Sequence, residues 1–181
     1  MLKRWIFNLF NVIGIVFLLG LFAMMSSVNA LENGTVRLND RTVQQGSQTT
    51  MTLSIHDVSN YSALEIHVYY DSDLFTVNGG YYNSSHNHFP MHQKAFNVEN
   101  PGVISYALAI TEEISYSGSL FHFYVQAKSL TPAGDYTLQV AVVGVYNNEQ
   151  ESITVGGEHG TLTVTEPQPS VHSIHFGSSV S

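Results

Sequence analysis

Residues 63–70 have the sequence Ala-Leu-Glu-Ile-His-Val-Tyr-Tyr, and this stretch decides the fold class. Leu64, Ile66 and Val68 alternate with Glu65 and His67. Successive side chains of a β-strand point to opposite faces, so this order places apolar side chains on one face and polar ones on the other. The stretch therefore predicts a half-buried strand of an antiparallel sheet.

The same two-residue period recurs along the chain, and no segment repeats apolar residues at helical spacing over three turns. Turn sequences, such as Asn100-Pro101-Gly102 and the stretch 131–134 (Thr-Pro-Ala-Gly), separate neighbouring segments. We therefore predict an all-β fold, a nine-stranded antiparallel β-sandwich. Ten segments have strand character, for a sandwich of about nine strands: 35–39, 49–55, 63–70, 74–78, 95–99, 103–110, 120–127, 136–146, 151–155 and 161–165.

Composition excludes several classes of function. The 181 residues include six Lys and Arg against fourteen Asp and Glu, which gives a formal charge of −8, and there is no cysteine. Nucleic-acid binding requires clustered basic residues to neutralise phosphates, so we expect no nucleic-acid partner. The absence of cysteine excludes disulfides, thiolate metal sites and cysteine nucleophiles.

Residues 1–30 have the features of an export signal. Lys3 and Arg4 precede an uncharged apolar run at 12–25, and Val28-Asn29-Ala30 offers compact residues for cleavage. The alternative is an uncleaved membrane anchor. Without these thirty residues the chain keeps four basic and fourteen acidic residues, a formal charge of about −10. We predict a secreted or cell-surface domain at 31–165, followed by a disordered tail or truncated linker at 166–181.

The order of the strands resembles that of a cohesin domain, the jelly-roll sandwich that captures dockerin modules in bacterial extracellular complexes. The segments that carry the resemblance span about residues 34–165. They are 43–47 (VQQGS), 64–71 (LEIHVYYD) with Leu74, 101–105 (PGVIS), 118–128 (GSLFHFYVQAK), 134–138 (GDYTL) and 160–164 (GTLTV).

This resemblance implies non-covalent recognition of a dockerin-bearing protein through one outward platform of the sandwich. It implies no cofactor, because the calcium of such a pair belongs to the dockerin. Glu65 matches a position where the family often places an acidic hydrogen-bonding residue, and Val98 one where it often exposes an apolar contact. The residues expected to face the partner are Ala63, Glu65, His67, Val98, Ser105, Ala107, His122 and Tyr124.

Histidines suggest two further hypotheses. His67 and His122 fall on strands that the resemblance places side by side, so their charge could make binding pH-sensitive; two uncoupled exposed histidines are the alternative. His86, His88 and His92 could bind zinc or nickel if their loop folds back, or they belong to a solvated loop. Between these two alternatives we favour the solvated loop, and we therefore predict no metal site.

Carboxylates and aromatic residues complete the candidates. Asp71 and Asp73 resemble a fragment of a calcium site, but a corner held by side-chain to backbone hydrogen bonds is favoured. Neither these residues nor Glu112-Glu113 have the spacing of a catalytic pair, and there is no nucleophile elbow or phosphate-binding glycine loop. The sequence therefore predicts no enzyme.

An alternative function is carbohydrate binding. Carbohydrate-binding sandwiches of similar fold use a coplanar strip of exposed aromatic side chains on one face, and the hypothesis in this form requires such a strip. The candidates for the strip are Tyr69, Tyr81, Tyr82 and Phe89.

Overall fold

Residues 33–82 and 92–168 are described by a computed structural model, and every regular element among them is a strand. The all-β prediction is therefore confirmed, and nine strands are found in these residues. The predicted export signal lies outside the described residues, as does most of the predicted tail. The strands are β1 (Thr35–Leu38), β2 (Arg41–Gln44), β3 (Gln48–Tyr69), β4 (Phe75–Tyr82), β5 (His92–Asn97), β6 (Val103–Ala127), β7 (Gly134–Tyr146), β8 (Gly156–Glu158) and β9 (Gly160–Thr165).

Two long strands, β3 and β6, each continue through what the sequence predicts as two separate strands. Tyr106 and Phe121 are fifteen positions apart on β6, yet their ring centroids are 5.9 Å apart. A straight strand would place them about 50 Å apart. β6 therefore folds back on itself, and β3, which pairs with it along both halves, folds back with it.

Irregular pairing marks the bend. The register between β3 and β6 shifts repeatedly between Ile55 and Ala63. Within this stretch Asp57 and Asn60 both have a φ of 56°. Asp and Asn tolerate this left-handed conformation better than most residues, and such bulges bend a strand sharply. The two halves of each strand thus belong to different layers of a sandwich.

The first layer consists of β5, residues 103–110 of β6, residues 63–69 of β3 and residues 139–146 of β7, all antiparallel. The second layer contains β4, residues 118–127 of β6, residues 48–55 of β3, β1 and β8. β9 pairs with the start of β7 and with β2. Two pairings are parallel, β1 with β8 and β2 with β9, so the sandwich is mostly antiparallel.

Inward side chains of the two layers meet in one core. Phe96 of the first layer lies 4.7 Å from Phe121 of the second, measured between ring centroids. The alternation predicted from residues 63–70 is confirmed, because Leu64, Ile66 and Val68 are at most 2% exposed. Since inward side chains of the layers face each other, their outward side chains point in opposite directions.

The predicted turns are mostly confirmed. Asn100-Pro101-Gly102 joins β5 to β6, with Gly102 at a φ of 87° and the Val103 amide donating to the Asn100 carbonyl (3.2 Å). The corner at Asp71 is held as expected, since the Asp73 amide donates to Asp71 Oδ1 (2.8 Å).

One predicted strand is wrong. Residues 151–155 form no strand; Ser152 makes only an isolated bridge to Tyr146, and the strand follows at 156–158.

Residues 39–41 carry the chain from β1 to β2. There the Asn39 side chain accepts from the Thr52 amide and the Asp40 side chain accepts from the Thr161 amide. These polar side chains bond to two different neighbouring strands, so the chain changes partner without reversing.

Candidate functional site

The outward surface of the first layer is a regular grid of side chains. Glu65 lies opposite Ala107 on β6 and Gly144 on β7, and His67 lies opposite Ser105 and Ala141. Residues opposite each other in antiparallel strands share a face. We call the following set the first-layer face: Ala63, Glu65, His67 and Tyr69 of β3; Ser105, Ala107 and Ala109 of β6; Ala95 and Asn97 of β5; and Gln139, Ala141, Gly144 and Tyr146 of β7.

A polar column runs along β3 in the middle of this face. His67 Nε2 lies 3.0 Å from Glu65 Oε1, and His67 Nδ1 lies 3.3 Å from the Tyr69 hydroxyl. The side chain of Glu65 is 50% exposed and that of His67 is 24% exposed. When the imidazole is protonated, its contact with Glu65 becomes an ion pair. The column therefore presents a carboxylate, an imidazole and a phenol in fixed order.

Small residues flank the column on both sides. Ala107 and Gly144 lie beside Glu65, and Ala141 and Ser105 lie beside His67. Alanine and glycine have no polar side-chain atoms, so the two residues directly opposite Glu65 offer it no side-chain donor. The free lone pairs of its carboxylate face solvent, where a partner can reach them.

A β-bulge on β7 shapes one side of the face. Glu65 pairs with Gly144 and Ile66 with Val142, so Val143 is left without a partner residue in the ladder and is 51% exposed. A side chain at Gly144 would meet the ring of Tyr146, which is 41% exposed. The sequence prediction missed these residues of β7, although a glycine inside an apolar strand is a signal for a bulge.

Five of the predicted partner-facing residues lie together on the first-layer face: Ala63, Glu65, His67, Ser105 and Ala107. His122 and Tyr124 do not lie on it, so the prediction of one shared platform is wrong for these two. They lie opposite Thr52 and Thr50, in the second layer, because β6 folds back between Tyr106 and Phe121. The fourth strand of the platform is β7, which contains none of the predicted partner-facing residues.

Val98 also differs from its prediction. It follows the end of β5 and packs, partly buried, against the core. It is therefore not an exposed apolar contact on the first-layer face.

The predicted proximity of His67 and His122 is wrong as well. His67 pairs with Ser105 and Ala141, whereas His122 pairs with Thr52 and Tyr81. The two imidazoles are on opposite outer surfaces of the sandwich, so they cannot act as a coupled pair. Burial lowers the pKa of the His122 imidazole from its usual value.

The histidines of the metal hypothesis lie mostly outside the described residues. His86 and His88 lie outside the described residues, and of His92 only the backbone, at the start of β5, is described. Within residues 33–82 and 92–168 no group of three His, Cys, Asp or Glu side chains could hold a metal ion. In the same residues no helix has the length and apolar character to cross a membrane.

The aromatic residues of the carbohydrate hypothesis do not form one strip. Tyr69 is on the first-layer face and 43% exposed, and Tyr81 is on the second layer and 46% exposed. Tyr82 points inward, with its ring centroid 5.7 Å from that of Phe96 and 5.8 Å from that of Phe121. Phe89 lies outside the described residues.

Comparison with known proteins agrees with this architecture. A family model described as "Cohesin domain" matches residues 34–164. The seventh ScaB type I cohesin of Pseudobacteroides cellulosolvens has a TM-score of 0.65 at 16% identity, covering 80% of this chain and 100% of that one. A non-cellulosomal cohesin of the archaeon Archaeoglobus fulgidus has a TM-score of 0.63 at 19% identity, covering 80% and 99%.

A third similar structure is a type I cohesin–dockerin complex, Coh-OlpA-Doc918, from Clostridium thermocellum. It has a TM-score of 0.60 at 14% identity and covers 74% of this chain and 100% of the matched chain. No curated protein matches the sequence. At these identities the solved structures establish the fold, and the match over residues 34–164 establishes the family.

Proposed function

This chain belongs to the cohesin domain family, and we propose that it is a non-catalytic recognition module that binds a dockerin module non-covalently. The observation that carries the proposal is the first-layer face, a four-stranded surface with one polar column among small residues. The similarity to a cohesin–dockerin complex of Clostridium thermocellum supports the same partner class.

The first-layer face suits the surface of a folded partner. Its small residues allow a helix to approach the sheet closely over Ala107, whereas the Tyr146 ring covers Gly144. Glu65 is half exposed and neither residue directly opposite it has a side-chain donor, so it can accept a hydrogen bond from a basic or hydroxyl side chain of the partner. Tyr69 and Tyr146, both more than 40% exposed, add apolar area with a polar tip at two edges of the face.

A non-catalytic role fits the carboxylates of this face. Glu65 is the single Asp or Glu among the residues of the first-layer face as defined above. Acid–base hydrolysis of a glycosidic bond generally needs two carboxyl groups facing each other across the bond, and a flat sheet surface does not supply that arrangement.

Calorimetric titration tests the proposal directly. The full-length protein is titrated with a panel of purified dockerin modules, including Doc918 of the similar Clostridium thermocellum complex and any encoded in the source genome. We expect saturable binding by at least one dockerin, weakened by substitution at Glu65. Absence of binding across the source genome's own dockerins would contradict the proposal.

We also propose that the domain acts outside the cell, as a secreted or cell-surface protein. The support is the sequence of residues 1–30, with its basic start and uncharged apolar run. N-terminal sequencing of protein recovered from medium and from membranes distinguishes a cleaved signal, which leaves Leu31 as the first residue, from a retained anchor.

A further inference from the structure

Two tyrosines and a histidine form a cluster on the outer side of the second layer, in which Tyr81 is exposed and His122 and Tyr124 are partly buried. Tyr81 of β4 lies opposite His122 of β6, and their rings stack with centroids 4.7 Å apart and an interplanar angle of 18°. The Tyr124 ring centroid lies 5.8 Å from that of Tyr81. Phe121 and Phe123 alternate with these residues and are fully buried, so the cluster faces away from the core. None of its members belongs to the first-layer face.

The imidazole of the cluster is held in place by a residue of the neighbouring strand β3. Thr52 Oγ1 lies 3.0 Å from His122 Nδ1, which fixes the orientation of the imidazole on which Tyr81 stacks. Tyr81 remains 46% exposed despite this stacking. An aromatic ring that is both fixed and exposed can bind a flat ligand at little further cost in side-chain entropy.

Uncharged polar groups continue the surface beyond the rings. Asn78 Nδ2 donates to Gln126 Oε1 (3.2 Å), and Gln126 Nε2 donates to the Gly46 carbonyl (3.2 Å). Strand segments 48–55, 75–82 and 119–127 contain no Asp, Glu, Lys or Arg. A guanidinium reaches the surface from β2, where Arg41 Nε donates to the Thr50 carbonyl (3.0 Å). We call this surface, made by Thr50, Thr52, Asn78, Tyr81, His122, Tyr124 and Gln126, the second-layer face.

We propose that the second-layer face binds a neutral polysaccharide, with a sugar ring stacked on Tyr81 and sugar hydroxyls bonded to the surrounding amide and hydroxyl groups. A pyranose ring presents an apolar C–H face between hydroxyl groups, and an exposed aromatic ring bordered by uncharged donors and acceptors complements both parts. The formal charge of about −10 on residues 31–181 disfavours an anionic polysaccharide.

This site is independent of dockerin recognition. Tyr81 and Glu65 belong to different layers, whose outward side chains point in opposite directions. One domain could therefore hold a dockerin on one face and a polysaccharide chain on the other at the same time.

Native affinity electrophoresis tests the proposal. The full-length protein is run in gels containing hydroxyethyl cellulose, xyloglucan or galactomannan, with alginate as the anionic comparison. We expect retardation by at least one neutral polymer and none by alginate. Tyr81→Ala should weaken that retardation about tenfold or more, whereas Tyr81→Phe, which keeps the ring, should retain most of it. Tyr69→Ala, on the first-layer face, should migrate like the wild type.

Two outcomes overturn the proposal. One is that none of the three neutral polymers retards the wild type. This holds also if light scattering shows a dimer that Tyr81→Ala dissociates, because the second-layer face would then bind a second copy of the chain. The other is equal retardation of the wild type and of a Tyr81→Ala variant whose thermal unfolding is unchanged.

Discussion

Glu65 of β3 and Gly144 of β7 lie directly opposite each other, next to the β-bulge that leaves Val143 outside the ladder. The residue opposite Glu65 on its other side is Ala107. The carboxylate therefore stands between two positions without polar side chains, and it is hydrogen-bonded to His67 on its own strand. This isolation makes Glu65 the side chain of the face best placed to determine the partner.

Charge reversal at Glu65 should weaken dockerin binding. Glu65→Lys removes an acceptor and places a positive charge where the partner is expected to present a donor, so we expect a loss of about 1–3 kcal/mol, measured by calorimetric titration. Glu158→Lys is the matched control, because Glu158 is exposed and pairs with Arg37 on the second layer (3.6 Å). Equal losses in both variants would show that net charge, and not the first-layer face, governs binding.

A large side chain at Ala107 should block the same face without unfolding the protein. Ala107 lies between Ala95 and Glu65 on the outward side, so Ala107→Trp projects into solvent and should change the free energy of unfolding by less than about 0.5 kcal/mol. Dockerin affinity should fall more than about tenfold, because a partner can no longer approach the sheet closely. Ala133→Trp, in the exposed turn before β7, should bind normally. Unimpaired binding by Ala107→Trp would place the interface elsewhere.

Local sequence pattern was sufficient to predict most of the strands, but neither the short strands β2 and β8 nor the assignment of strands to layers. Leu64, Ile66 and Val68 alternate in the same way as Met51, Leu53 and Ile55, and both sets are buried. Alternation tells which side chains point inward, yet it contains no information about which layer a strand joins. Placing His122 in the layer opposite that of His67 requires knowing that β6 bends between Tyr106 and Phe121.

The bend itself depends on tertiary contacts. Asp57 and Asn60 adopt left-handed backbone conformations, although neither is a glycine, the residue that usually indicates a positive φ in a sequence. The Asp57 amide donates to Ser117 Oγ of β6 (2.8 Å), and the Asn60 amide donates to Ser115 Oγ of the same strand (3.3 Å). These contacts join residues more than fifty positions apart, so no reading of a short window could reveal them.

Removal of a buried hydroxyl at the core should not destabilise the domain. In the described part of the chain neither Tyr61 Oη nor Tyr106 Oη has a hydrogen-bond partner, although both atoms are buried. Burial raises the pKa of both phenols well above the usual value, so they stay protonated. An unpaired buried hydroxyl costs free energy, so Tyr106→Phe should leave the free energy of unfolding unchanged or raise it by about 1 kcal/mol.

Urea denaturation measures this effect, and Tyr106→Ala is the comparison. The alanine variant removes the ring that packs near Phe121 and should lose about 3–5 kcal/mol. A loss above about 1 kcal/mol in Tyr106→Phe would show that the hydroxyl is satisfied in solution, for example by a buried water molecule.

His122 should make stability depend on pH in a known direction. Burial lowers its pKa in the folded protein below the value of about 6.5 expected in the unfolded chain. As the pH falls through about 6.5 the unfolded state takes up the proton first, so stability declines and continues to decline until the lowered native pKa is passed. His122→Gln removes this contribution. The wild type should therefore lose more of its free energy of unfolding than the variant between pH 7.5 and pH 5, measured by urea denaturation at each pH. Equal losses of the free energy of unfolding in the two proteins would mean that the pKa of the His122 imidazole is the same in the folded domain as in the unfolded chain.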